Sequence, residues 1–475
     1  MPGFFVDLEF YNYYEMDTLG FITDGVYDYR GKVFDYDLHL TPLTVIDPRY
    51  IRFFKCIFNK PVLIENLVFE NISISFSDCI FKEEVGIKNC RLLDLKFNEV
   101  TSFKDISIEK IFIRGFKFCG KNFTSGDFYM HESNVTHIFD CSRLENFIGK
   151  FVVDINRNQE GCEFLRSSFR KSSFKDLQLH GQLGNVDFEN ATIAQSTLFF
   201  DVIFWESYFA NAVLGKITRF NGCEFKSKVS FKDCGSEETK ISFEISTFKG
   251  HSFFTDARFN HFSISDCSFE SRTSFTGLKA NTVNLHLVNF NKLAFFDDLR
   301  VFNIEKENFF SKLPNSEAKK WRHTLRQIKQ ELQKTENRID YNRFRSYELA
   351  AYYRELKWNK NFKDWFILTA TKVVTGFDHS WRRALGFTII AAGLFYSLFY
   401  ISENYMQTLA LSQWRQFLSG YFRFLIVTDF YNPLADGRSY IDNTNTIGWF
   451  IFILGKIFIA FGIYEMIQAF RKFKS

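Results

Sequence analysis

From Phe188 onward, bulky apolar residues return at every fifth position: Phe188, Ile193, Leu198, Ile203, Tyr208 and Val213. A second track runs one residue out of phase through Phe199, Phe204, Phe209 and Leu214. The same spacing links Phe164, Phe169, Phe174 and Leu179, then Phe243, Phe248 and Phe253, and after a one-residue slip Phe254, Phe259, Ile264 and Phe269. A period of five fits neither the 3.6 residues of an α-helical turn nor the two of a strand. It marks an internal repeat, and the repeat accounts for the composition. The chain holds 63 Phe in 475 residues, against 6 Pro and 5 Met, about three times the usual share of Phe.

A small residue stands two places before the bulky one, as in Asn190-Ala191-Thr192-Ile193 and Glu206-Ser207-Tyr208-Phe209. This pattern resembles the pentapeptide-repeat family in a Phe-type form. The resemblance implies a right-handed, four-sided β-helix in which each side is one pentapeptide. The central Phe or Leu and the small residue point inward, and the other three positions face water. Cysteine occupies the small slot in Cys56-Ile57-Phe58, Cys79-Ile80-Phe81, Cys90-Arg91-Leu92, Cys162-Glu163-Phe164, Cys223-Glu224-Phe225 and Cys267-Ser268-Phe269. A free cysteine behaves as a small buried hydrophobe, and no pair has the close spacing of a zinc or redox site. Metal, disulfide and cofactor roles are therefore not expected.

The fold class expected is a mainly β solenoid followed by an α-helical neck and two transmembrane helices. Residues 59–303 would form about twelve coils of about 20 residues, a rod of roughly 60 Å at the inter-strand spacing of about 4.8 Å. Residues 1–58 do not keep the five-residue beat and are expected to cap the first coil. Arg143 to Gly161 and Gly235 to Thr239 are expected as loops. The start, Met1 to Leu8, has no basic segment of a signal peptide, and with nine cysteines it points to a reducing cytosol.

After Leu313-Pro314 the period changes. Asn315 or Ser316 can cap a helix whose Trp321, Leu325, Ile328 and Leu332 share one face, and a second helix is expected from about Tyr341 to Lys357, forming a hairpin with the first. Residues 305–360 carry 14 Lys or Arg against 8 Asp or Glu. This neck, spanning 304–377, is either a partner for anionic lipid headgroups or a solvated helix face. No nucleic-acid-reading motif is present, and the mixed charge of Phe169-Arg170-Lys171-Ser172-Ser173-Phe174-Lys175-Asp176 is unlike the acidic surface of a DNA mimic.

Residues 378–475 read as a membrane domain. Ala384 to Ile401 holds no charge and follows Trp381-Arg382-Arg383; Thr446 to Ile467 forms a second span and leads to Arg471 and Lys472. These anchors put both basic flanks on one side of a lipid bilayer, in a bacterial inner membrane with the solenoid and the C-terminus cytosolic. Lys456 lies near the middle of the second span and Glu465 near its end, which points to a bundle interior or a pore, with snorkelling or a structural ion pair as alternatives. Between the spans, Met406 to Val427 carries Arg423 and runs into Thr428-Asp429-Phe430-Tyr431-Asn432-Pro433. That order is similar to the two-helix pore modules of tetrameric channels, where Asp429 would form a charged ring, but the Gly-rich filter of a potassium channel is missing. An interfacial helix is the other reading of this segment. Residues 318–475 also resemble the C-terminal module of pentapeptide-repeat membrane proteins from Bacteroidetes-type bacteria, through Tyr347 to Leu356, Gly376 to Trp381 and Ile463 to Phe473.

The nine histidines are scattered singly, and no Walker A, GxGxxG, GxSxG or HExxH motif occurs, so no enzyme activity is expected. The functional expectation is an oligomeric membrane effector or channel-like protein whose solenoid answers a cytosolic protein or small-molecule trigger. By analogy, effectors of bacterial anti-phage defence pair a sensor with such a module. The rival expectation is a membrane-tethered interaction scaffold.

Overall fold

The computed structural model describes residues 21–23, 25–45, 48–120, 123–145, 147–156, 165–306, 308–377, 380–407, 414–435, 439–441 and 445–471. The chain divides into two units, Met1–Lys306 and Glu307–Ser475.

The first unit is a parallel β-solenoid. One ladder passes in register through Leu38, Val62, Val85, Ile106, Phe128 and Phe151. It continues through Leu177, Thr197, Thr218, Ile241, Phe262 and Val283. Successive rungs are 20 to 26 residues apart, giving about twelve coils. A neighbouring ladder begins at Val26–Arg30, paired in parallel with Tyr50–Phe54, so the expected cap over 1–58 is corrected: its second half is coil. The five-residue beat is hidden there because aromatic and β-branched residues occupy outward as well as inward positions. Phe147–Ile155, placed in the expected Arg143–Gly161 loop, is likewise a nine-residue strand of the ladder. Gly235–Thr239 is a turn-rich loop as expected.

Burial decides which of the two sequence tracks faces in. Phe188, Ile193, Phe199, Phe204 and Phe209 are buried, whereas Leu198, Tyr208 and Val213 are only half-buried. The step from Ile193 to Phe199 is six, so the inward phase shifts by one within a coil. The inward rings stack in columns along the solenoid. Phe169, Phe188, Phe209, Phe231, Phe254, Phe275 and Phe296 form one, with centroids 4.5 to 5.0 Å apart and planes within 14°. Phe204, Phe225, Phe248, Phe269 and Phe290 form another. Coil spacing in a parallel ladder, about 4.8 Å, is also a favourable ring-stacking distance, which is why the fold consumes phenylalanine.

The corners explain the small residues. Asp78, Asn89, Asn190, Asn211, Asp233, Asp256 and Asp266 have positive φ, and each precedes a buried Cys or Ala. Asn and Asp tolerate the left-handed region best after Gly, and the tight corner leaves room for only a small side chain behind it. Cys56, Cys79, Cys90, Cys223, Cys234 and Cys267 are buried in these slots, and Cys141 is buried elsewhere in the core; Cys162 lies outside the described residues. Burial pushes the thiols of Cys90 and Cys267 up to about 11 and that of Cys223 to about 12, so they stay protonated. The solenoid ends in a short helix, α1 (Phe302–Glu305), which buries Ile304.

The second unit is helical. α2 (Asn315–Lys334) and α3 (Arg338–Glu355) form the expected hairpin, burying Leu325, Ile328 and Leu332 against Phe344 and Ala351. Pro314, not Asn315 or Ser316, holds the cap position of α2, without a side-chain cap bond. Glu348 of α3 receives Arg326 Nε at 3.0 Å and Lys329, and Arg322 meets Glu355 at 2.8 Å. A further helix, α4 (Phe362–Val374), lies in the last part of the neck, past the two helices expected there. Then come α5 (Trp381–Gln407), α6 (Trp414–Leu425) and α7 (Thr446–Arg471). α5 and α7 contain the two stretches long and apolar enough to cross a membrane, Trp381–Glu403 and Thr446–Phe470.

Candidate functional site

α5 and α7 are antiparallel. Trp381 and Phe470 stack at one end, with centroids 5.3 Å apart; at the other, Asn445 donates to Glu403 at 2.7 Å. Between them α6 runs inward from the Glu403 end. The Tyr396 hydroxyl donates to the Phe417 carbonyl at 2.8 Å, and one turn deeper the Tyr421 hydroxyl donates to Ile389 O at 2.9 Å. The chain then turns at Leu425–Val427 and climbs back, so that Asn432 again meets Glu403, at 3.1 Å. α6 is thus a half-length helix that enters and leaves on the same side. Two glycines permit the fit. A Cβ on Gly420 would strike the Tyr396 hydroxyl and the Pro433 carbonyl, and one on Gly455 would lie 2.7 Å from the Phe424 ring.

The last carbonyls of any helix lack intrahelical donors and carry the negative end of its dipole. Here that end lies halfway along α7, and Lys456 meets it. Its ammonium donates to Phe424 O at 2.9 Å and Ile426 O at 2.6 Å, and lies 5.1 and 5.0 Å from the Phe424 and Phe452 ring centroids. Lys456 is 5% exposed. A cation at a partly buried helix C-terminus contributes up to about 2 kcal/mol, and two carbonyls plus two ring faces replace much of the lost hydration.

Asp429 and Arg423 lie on the rim of the same turn. Arg423 Nε stands 3.6 Å from Asp429 Oδ2 and its Nη1 donates to Ala435 O at 3.3 Å, while Asp429 Oδ1 accepts from Tyr431 N at 3.1 Å. Both side chains are partly exposed, at 30% and 21%. The structure therefore brings Lys456, Arg423 and Asp429 together. Glu465 does not join them: it is buried near the opposite end of α7 and accepts from Thr375 Oγ1 at 3.2 Å. Trp381, Arg382 and Arg383 open α5, with both guanidinium groups exposed. The Arg471 side chain and Lys472 lie outside the described residues.

Sequence reasoning missed the most buried carboxylate of this unit. Glu403 is fully buried and accepts from the amides of Asn432 and Asn445, while Asn445 Oδ1 caps α7 by accepting from Gly448 N at 2.8 Å. The available signal was Asn445, a good capping residue directly before the second apolar run. No family model, curated protein or solved structure matches this chain. Among the described residues no group of three or more His, Cys, Asp or Glu could hold a metal ion.

Proposed function

We propose that this chain is an oligomeric, channel-like membrane protein whose solenoid is the cytosolic recognition part. The observation that carries the reading is the half-length helix α6 between two span-length helices, with an irregular return segment from Ile426 to Ala435. In hydrocarbon, irregular backbone is tolerated only where protein or a water-filled path covers it. Thr428 is exposed and Asp429 half-exposed on that segment, so copies of the chain, arranged around a water path, supply the cover. The placement in a bilayer is supported by the outward faces of the long helices, where Ile389, Ile390, Leu394, Ile401, Phe450 and Ile453 are exposed, an apolar belt of the kind that soluble monomers avoid. The five-residue beat and the small slots support the pentapeptide-repeat type for the solenoid, although most coils are 21 to 26 residues long rather than four strict pentapeptides. The basic residues at the Trp381 end support a cytosolic orientation of that end.

A second reading, a tethered scaffold, is favoured by one observation: Lys456 is satisfied within a single chain. Ion flux into liposomes carrying the purified protein separates the two. Flux above protein-free liposomes, altered by Asp429→Asn, is expected. Background flux from wild type, together with preserved biological activity after residues 378–475 are replaced by an unrelated two-span anchor, would leave the scaffold reading standing alone.

A further inference from the structure

The solenoid carries a polar recess of about 590 Å³ on its outer surface, formed where three successive coils bring Lys117, Arg143, Arg170 and Lys171 around Gly120, with Glu99 as the carboxylate on its wall. Its volume lies within the usual range for small-ligand sites, about 300–1,000 Å³. Two of the cations are partly neutralised: Lys117 stands 3.8 Å from Asp140, and Arg170 pairs with Glu189 at 2.8 Å. Arg143 and Lys171 make no ion pair among the described residues.

Arg143 and Lys171 are corner residues, with φ of 58° and 56°. They belong to one corner column, linked coil to coil: Arg143 N donates to Arg170 O, Lys171 N to Glu189 O, Asn190 N to Ala210 O and Asn211 N to Lys232 O. Further along, the column continues with Asp233 and Asp256. Most of the column uses the short polar residues that the left-handed conformation favours. Other left-handed corners of the solenoid also carry long side chains, Lys55 and Lys110 among them; what distinguishes this place is the convergence of cations from successive coils on one recess. Gly120, at φ 104°, lies opposite; a Cβ there would be 2.5 Å from the Glu99 carboxylate, so glycine keeps the floor open.

We propose that this recess binds a small phosphate-bearing polyanion of nucleotide size. The Arg143 and Arg170 guanidinium groups offer planar forks suited to phosphate oxygens, and Lys117 and Lys171 supply point charges. Among the described residues the recess gathers four cations against the carboxylates of Glu99, Asp140 and Glu189, and the planar forks favour the several oxygens of a phosphate-bearing ligand over a single carboxylate. The site belongs to the solenoid alone, and its existence does not depend on the channel-like reading.

The test uses the full chain in detergent micelles, titrated calorimetrically with inorganic pyrophosphate and with ADP at low ionic strength. Binding with Kd below about 1 mM is expected for at least one probe, weakened by about tenfold or more in Arg143→Asn/Lys171→Asn. Asparagine suits the left-handed corner, so this variant keeps or raises its thermal midpoint, and lost binding cannot be assigned to unfolding. Lys292→Asn, an exposed cation in a distant coil, should leave Kd unchanged. No heat from either probe up to about 10 mM, unchanged affinity in the double variant, or equal weakening by Lys292→Asn would each overturn the proposal.

Discussion

The two units bury opposite kinds of side chain. Among the described residues, no buried position of the solenoid is Asp, Glu, Lys or Arg; its buried polar groups are Ser, Thr and one Gln. Every buried charge among the described residues lies in the helical unit, at Glu331, Asp340, Glu348, Glu403, Lys456 and Glu465. The difference follows from geometry. In a solenoid each inward position stacks on its equivalent in the next coil, so a charge there would meet an apolar column and have no partner. In the helical unit each buried charge finds its own partner. Cations meet Glu331, Asp340 and Glu348 in the α2–α3 hairpin, and between α5 and α7, whose outer faces are apolar, a helix end and side-chain amides meet Lys456 and Glu403. One interior is a repeated lattice of rings; the other is a set of individual clamps.

The comparison can be broken first on the lattice side. Phe231→Ala removes a ring stacked between Phe209 and Phe254 and should destabilise the solenoid by about 3–5 kcal/mol, read as a lowered midpoint in thermal or denaturant unfolding. A loss under 1 kcal/mol would mean that the column is not the main source of solenoid stability. On the clamp side, Lys456→Leu leaves the Phe424 and Ile426 carbonyls without their donor and should cost about 2–3 kcal/mol. The expected signature is local: a cysteine placed at Ile426 becomes more reactive to a water-soluble maleimide while the solenoid midpoint stays fixed. Unchanged reactivity would show that α6 holds its place without the lysine.

The smallest effect concerns the neck. Burial works to raise the Glu348 carboxyl, but the hydrogen bonds from Lys329 and Arg326 outweigh it and hold the group below its ordinary value. Its contribution is therefore full at neutral pH and is lost as pH falls through and below the usual carboxylate range. Glu348→Gln should weaken the α2–α3 hairpin by about 1–2 kcal/mol at pH 7, and the difference from wild type should shrink under acid conditions. A gap that stays constant with pH would contradict the charged clamp.

Legibility in the sequence follows the same division. The repeat was readable because the lattice obliges residues far apart to obey one period, and even the cysteine slots followed from it. The corner rule, Asn or Asp directly before Cys or Ala, is also written in the sequence, at Asp78-Cys79 and Asn211-Ala212 for example, though less regularly than the bulky period. The first coils were lost because Val26 to Phe58 mixes outward aromatics with inward ones. In the helical unit, α5 and α7 could be read from hydropathy and the α2–α3 hairpin from its stripe. The partners of Lys456 could not, because they are main-chain carbonyls, which leave no mark on residue identity. Glu403 escaped for a related reason: its two amide donors come from loops about 30 and 40 residues away.

The order of the parts along the chain bears on how this unit is made. Phe424 and Ile426, whose carbonyls receive the lysine, precede Lys456 by about thirty residues. During synthesis the acceptor is complete before the donor emerges. A lone lysine at the centre of a nascent span opposes insertion by about 3 kcal/mol, whereas one that finds a waiting helix end does not enter lipid as a bare charge. Under the membrane reading proposed above, α7 inserts well only behind α6, and biogenesis of this unit is expected to proceed as a hairpin rather than helix by helix.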